Sequence, residues 1–206
     1  MLNPKNFKKD ADPVINWIDR YLNNITSFPV KSGVSPGDIY RAIPKEAPLH
    51  SEPMEQIMED LDHIILPGMT HWQHPGFHAY FPANSSVESV LAESLTSAMG
   101  AQCMIWDTSP AAAELEQRMV EWLRDAMGIP GSFEGVIQDT ASTASLVALI
   151  TAREVATDFR SNEEGVPNNL RVYCSTETHS SIEKGVVVCG IGRKNLVKIG
   201  VDEQMR

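Results

Sequence analysis

Between Gly135 and Val201 the chain switches its apolar rhythm repeatedly, and this alternation constrains the fold more than any other feature. "GVIQ" (135–138), "LRVYCS" (170–175) and "NLVKIGV" (195–201) are short β-branched runs. A helical pattern fills 142–157, and another runs through "SSIEKGVVV" (180–188). Strands alternating with helices predict an α/β fold whose mixed, mostly parallel sheet is covered on both faces. Such sheets take ligands at the carboxyl ends of their strands. Two hydroxyl-rich junctions fall at such ends, Asp139 to Ser145 and "STETHSS" at 175–181. The run reaches Arg206 just after a strand, so further strands and a closing element are expected beyond it.

Ahead of this run the rhythm is helical. Asp12 followed by Pro13 reads as a helix start, with Val14, Ile15, Ile18, Tyr21 and Leu22 as its apolar stripe. A connector rich in proline and glycine (28–50) follows, then an amphipathic helix over 51–65. Ser86 opens another helix, and "TSP" at 108–110 caps a long one that Gly128 closes.

The net charge of −10 argues against a nucleic-acid backbone as partner, which needs clustered Lys and Arg. Cys103, Cys174 and Cys189 form an odd, scattered set without a CxxC pair, which points to reduced thiols and a cytoplasmic setting. No apolar run has the length of a signal-peptide core at the N-terminus or of a membrane span elsewhere.

Three constellations carry chemistry. At Thr140–Thr143 a helix N-terminus offers unpaired amides, a positive dipole end and added hydroxyls, which suits a phosphate. By itself the same junction reads first as a plain N-cap, and without a Walker lysine it is no ordinary nucleotide loop. His179, in "STETHSS", suits ring stacking or acid–base work, or is simply a hydrogen-bonded loop histidine; no partner stands at metal-ligand spacing, so no metal is expected. In "HWQHPGFHAYFP" (71–82), His71, Trp72, His74, Phe77, His78, Tyr80 and Phe81 form either an aromatic wall for a flat ligand or a small apolar core.

Taken together and in order, "THWQHPGFHAYFPANSS", "SPAAAELEQRMVEWL", "GVIQDTASTASLVALITAR" and "STETHSSIEKG" resemble the group II pyridoxal-phosphate-dependent decarboxylases of the aromatic L-amino acid (dopa/tyrosine/tryptophan) type. The likeness covers nearly the whole chain. It implies a helical, dimer-embracing segment with an aromatic substrate loop over 1–85. Over 86–206 it implies the first part of an aspartate-aminotransferase-like large domain.

The implied cofactor is pyridoxal 5'-phosphate. Ala141 and Ser142 match the positions that grip its phosphate, with Thr140 just ahead, and His179 matches the catalytic histidine that stacks on its ring. Trp72, Tyr80 and Phe81 match the substrate wall, and Ala83 stands where animal dopa decarboxylases carry a threonine. Gln102 and Met104 match residues lent to the neighbouring subunit's pocket. The resemblance places the cofactor-binding lysine, the aspartate facing the pyridine nitrogen and a mobile-loop tyrosine beyond Arg206; Lys184 is not assigned as that lysine. The implied activity is decarboxylation of an L-amino acid, aromatic by the wall, to amine and CO2 in a cytoplasmic homodimer, with this stretch alone inactive. Alternatives are an aldehyde-forming relative, a decarboxylase of acidic or basic amino acids, and a truncated, non-catalytic dimerisation partner.

Overall fold

The computed structural model describes residues 6–81 and 85–205. The chain divides into two units, Met1–Gly100 and Ala101–Arg206.

In the first unit, α1 spans Phe7–Asn23. The Asp12–Pro13 pair does not start it: Asn6 holds the N-cap position and Pro13 lies inside the helix. Proline's missing N–H forfeits the bond to the Lys9 carbonyl, and its ring crowds that carbonyl. Lys9 is exposed, so water can take that carbonyl. A short α2 (Asp38–Ala42) interrupts the connector. The helix expected over 51–65 begins only at Met54, because the residue before Pro53 is disfavoured in helical backbone. It runs as α3 (Met54–Asp60), then widens into a π-helical segment, Leu61–Ile65. Asp62 in that segment ties α1 down, accepting from Trp17 Nε1 at 2.6 Å and from an Arg20 Nη at 3.0 Å. Helix α4 (Val87–Met99) opens on a reciprocal box in which Ser86 and Ser89 each donate a backbone N–H to the other's hydroxyl.

The second unit begins with α5 (Pro110–Ala126), which has proline in its first turn and Gly128 beyond its end at φ 69°. Then follow α6 (Ala141–Ala156), α7 (Ser161–Glu164), β1 (Val172–Ser175), α8 (Ser181–Val188) and β2 (Leu196–Ile199). The strands pair in parallel, Val172 opposite Leu196 and Ser175 opposite Ile199. The run "GVIQ" departs from expectation: among the described residues the sheet has two strands, and 135–138 joins neither. Composition favours a strand there, but a strand exists only where a neighbour completes its ladder. Ile137 instead donates its N–H to Glu116 Oε1 at 2.8 Å.

The core of this unit lies between α6, α8 and the sheet. Val186, Cys189 and Ile191 are buried there against Leu146, Leu149, Ile150, Val172 and Leu196. Gly185 permits the helices to meet: a Cβ there would stand 2.6 Å from Leu149 Cδ1. At the far end of α6, Arg153 donates to the Cys189 carbonyl at 2.8 Å and to Glu154 Oε1, which Ser161 also reaches at 2.7 Å. Ser161 first, then Arg153, holds the Glu154 carboxyl below its ordinary pKa.

That core is small for the chain. The accessible surface is 16576 Å². A compact monomer of this mass exposes roughly 9500 Å², and two separate compact halves about 11500 Å². Rows of apolar side chains are part of that surface: Val87, Leu91, Leu95 and Met99 on α4, and Leu115 and Trp122 on α5, are all exposed.

Candidate functional site

In the second unit the two hydroxyl-rich junctions lie at one end of a helix pair. Gly185 meets Leu149 and, one turn further on, the Cys189 carbonyl meets the Arg153 guanidinium, so α6 and α8 run in the same direction. Both helices therefore start at the same end of the pair, α6 at Ala141 after its Thr140 cap and α8 at Ser181 just after His179.

Thr140 is a true N-cap. Its backbone is extended, and its hydroxyl accepts from the Thr143 N–H at 3.1 Å. Its carbonyl takes the Ala144 N–H at 2.9 Å. The amides of Ala141 and Ser142, and the Ser142 hydroxyl, have no partner among the described residues, and both residues are exposed. An anion placed here meets two free donors, a hydroxyl and the positive end of a 16-residue helix.

His179 is exposed but its ring is held. The Ser181 N–H donates to Nδ1 at 3.2 Å, and the Ser181 hydroxyl lies 3.0 Å from the same atom. With Nδ1 accepting, a neutral ring carries its proton on Nε2. A shallow recess of about 120 Å³ adjoins it, lined by Cys174, Thr178, Leu196 and Lys198 among others; Lys184 is not in its lining. At its rim Glu183 bonds Lys198 at 2.8 Å and Arg193 at 2.9 Å. Lys198 chiefly holds the Glu183 carboxyl below its ordinary range, and Glu183 raises the Lys198 ammonium in return.

Gln102 and Met104 sit in an exposed loop at the start of this unit. The Gln102 carbonyl accepts from the Thr108 hydroxyl at 2.6 Å.

In the first unit, Trp72 and Tyr80 stack with centroids 5.6 Å apart and planes 11° from parallel; Phe77 lies 4.7 Å from Trp72. Tyr80 adopts φ 58°, the left-handed region that a bulky residue enters only when held there. Phe81 stands outside this stack, 98% exposed. Ala83 lies outside the described residues. Behind the stack is a feature that sequence reasoning missed: His71 is buried, its Nδ1 2.8 Å from the Tyr21 hydroxyl and its ring stacked on Phe28. Trp17 and Tyr21, one helical turn apart, were the available signal, but Tyr21 reads on sequence as one more apolar stripe residue.

Among the described residues no group of three His, Cys, Asp or Glu is placed to hold a metal ion. No helix among them is long and apolar enough to cross a membrane.

Phenylacetaldehyde synthase of Arabidopsis thaliana is 40% identical over 188 residues, covering 88% of this chain and 38% of its own length. Tyrosine decarboxylase 4 of Petroselinum crispum is 36% identical over 202 residues, covering 94% of this chain and 39% of its own length. A crystal structure of Oryza sativa TDC with PLP and tryptamine superposes with a TM-score of 0.89 at 31% identity, over 98% of this chain and 45% of that one. The chain thus spans about two fifths of the length of the curated relatives it matches. The likeness shows the expected α/β fold, a helical segment followed by part of an aspartate-aminotransferase-like domain. With residues 36–206 matching the pyridoxal-dependent decarboxylase conserved domain, the chain belongs to that family.

Proposed function

We propose that this chain forms part of a pyridoxal 5'-phosphate-dependent carboxy-lyase that converts an aromatic L-amino acid to its amine and CO2. One observation carries the reading. A helix N-terminus with two free amides and a free hydroxyl opens α6, and the neighbouring parallel helix α8 opens just after a histidine whose ring is held through Nδ1. Those residues fit the cofactor: Thr140, Ala141 and Ser142 offer donors to a phosphate, and His179 offers a flat face to a ring.

When bound, the cofactor supplies an electron-poor ring that accepts the electron pair left behind as the α-carboxylate departs. The chain's own residues position. The Ala141 and Ser142 amides meet the phosphate charge with donors already oriented, so little reorganisation is needed. Ser181 keeps His179 from rotating and leaves its proton on Nε2. The Trp72–Tyr80 stack, with Phe81 and Ala83, is the proposed wall for the aromatic side chain, and Gln102 and Met104 are proposed to serve the neighbouring subunit's pocket. Holding the side chain fixes which bond to the α-carbon stands ready to break.

The proposed enzyme is a cytoplasmic homodimer. Its three free thiols support the first term, and its exposed apolar rows the second. The proposed division of labour is a dimer-embracing segment over 1–85 and a cofactor-binding part over 86–206. A second reading, oxidative conversion to the aldehyde, is supported by the name of the 40% identical relative.

Full-length protein supplied with pyridoxal phosphate and tyrosine, phenylalanine or tryptophan tests both. Amine and CO2 in equal amounts, with no oxygen consumed, support the decarboxylase. Oxygen uptake with release of aldehyde and ammonia supports the second reading. Absence of CO2 with all three substrates, from protein that binds the cofactor, refutes the aromatic assignment.

A further inference from the structure

His71 is the one buried residue among those described in the first unit, 2% exposed. A unit that buries a single side chain and chooses an imidazole for it needs a reason, since burying a polar ring without a partner is unfavourable. The partner is Tyr21, whose hydroxyl stands 2.8 Å from His71 Nδ1. Burial raises the Tyr21 pKa, keeping its proton in place, and lowers that of His71, with the charge of His74 adding to the effect. A protonated phenol beside a neutral imidazole donates O–H to Nδ1.

The rest of the His71 environment is equally fixed. Its ring stacks on Phe28 at 4.9 Å and tilts against Tyr21 at 5.6 Å. Its N–H donates to the Val30 carbonyl at 2.9 Å, and its own carbonyl accepts from His74 at 3.0 Å. Tyr21 in turn stacks on Trp17, 5.1 Å away and 6° from parallel, and Trp17 is bonded to Asp62. The next residue after His71 is Trp72, the base of the stack that carries Tyr80.

We infer that the Tyr21–His71 hydrogen bond is a positioning device: it pins the 70–81 loop to α1 and thereby sets where Trp72 and Tyr80 stand for an aromatic substrate side chain. This rests on the proposed reading of that stack as the substrate wall. Neither Tyr21 nor His71 is assigned contact with substrate or cofactor; both act through Trp72. Binding of the aromatic side chain should therefore depend on them, while the phosphate seat in the second unit should not.

The test compares full-length Tyr21→Phe, His71→Ala, His71→Asn and Trp72→Ala enzymes with the parent. Tyr21→Phe removes one oxygen and should raise KM for the aromatic amino acid about five- to tenfold, the scale of one lost hydrogen bond, with kcat changed less than about twofold. The affinity for pyridoxal phosphate, read by absorbance titration, should not move. Amide hydrogen exchange of residues 70–81 should quicken. His71→Asn keeps an acceptor near the Nδ1 position and should recover most of the KM that His71→Ala loses. If His71→Ala fails to fold, Tyr21→Phe and His71→Asn carry the comparison. If Trp72→Ala raises KM while Tyr21→Phe leaves both KM and loop exchange at parental values, the anchor is refuted and the wall survives. If Trp72→Ala leaves KM unchanged, the wall reading fails and the anchor's role fails with it.

Discussion

Thr140 and Ser142 are two residues apart and carry similar hydroxyls, yet the structure gives them different work. Thr140 uses its oxygen on the Thr143 amide, closing the helix start. Ser142 leaves its oxygen unspent. Thr140→Ala should therefore cost about 1 kcal/mol of stability, the usual worth of a lost N-cap, and weaken the cofactor as a consequence. Ser142→Ala should leave the melting temperature within error and raise the cofactor Kd about fivefold, by loss of one hydrogen bond to a charged group. Thermal melts of apo protein and absorbance titrations separate the two; equal effects on both quantities would show the residues doing one job. The cap was legible in the sequence because its geometry is local, four residues long. The burial of His71 was not, because its partner Tyr21 lies 50 positions away and no local pattern announces it.

At the scale of elements, α6, β1, α8 and β2 stand close to where the alternation of periods put them. Each is decided by its own apolar rhythm and by the close α6–α8 contact at Gly185. Replacing Gly185 by valine should cost about 1–3 kcal/mol, since the added Cβ would stand 2.6 Å from Leu149 Cδ1 and its two methyls add further bulk between the helices. Denaturant melts of the full-length protein measure it. Elements whose existence depends on something outside themselves were less legible. "GVIQ" has the residues of a strand without a neighbouring ladder, and the π-helical segment Leu61–Ile65 carries Asp62, whose partners Trp17 and Arg20 lie on α1.

The Glu183–Lys198–Arg193 group joins α8 to β2 and gives this layer a pH dependence. Glu183 has a folded pKa below its ordinary value of 4.5, so the unfolded chain binds its proton more readily. The tie is whole above that ordinary value and is lost as pH falls through the depressed one. Lys198 has a folded pKa above 10.5, so its share is lost as pH rises through that raised value. Glu183→Gln should flatten the acid limb of a stability profile; an unaltered limb would show the tie to be ornamental.

For the molecule as a whole, surface decides. An accessible area of 16576 Å² exceeds by several thousand Å² what even two separate compact halves would show. Apolar rows on α4 and α5 of this kind promote association unless covered. Residues 1–206 expressed alone should therefore self-associate and melt without a sharp transition, whereas the full-length protein should melt cooperatively; sedimentation and calorimetry check both. A monomeric species of 22.7 kDa with a single sharp transition would instead show that this stretch suffices for itself.

The central claim is that the first turn of α6 seats a phosphate while His179 faces the attached ring. A crystal structure of the full-length protein with pyridoxal phosphate tests it most directly. The account predicts phosphate oxygens within about 2.7–3.2 Å of the Ala141 and Ser142 amides, and the His179 ring lying parallel over the pyridine. A phosphate bound elsewhere, or an imidazole turned edge-on and away from the ring, would contradict it.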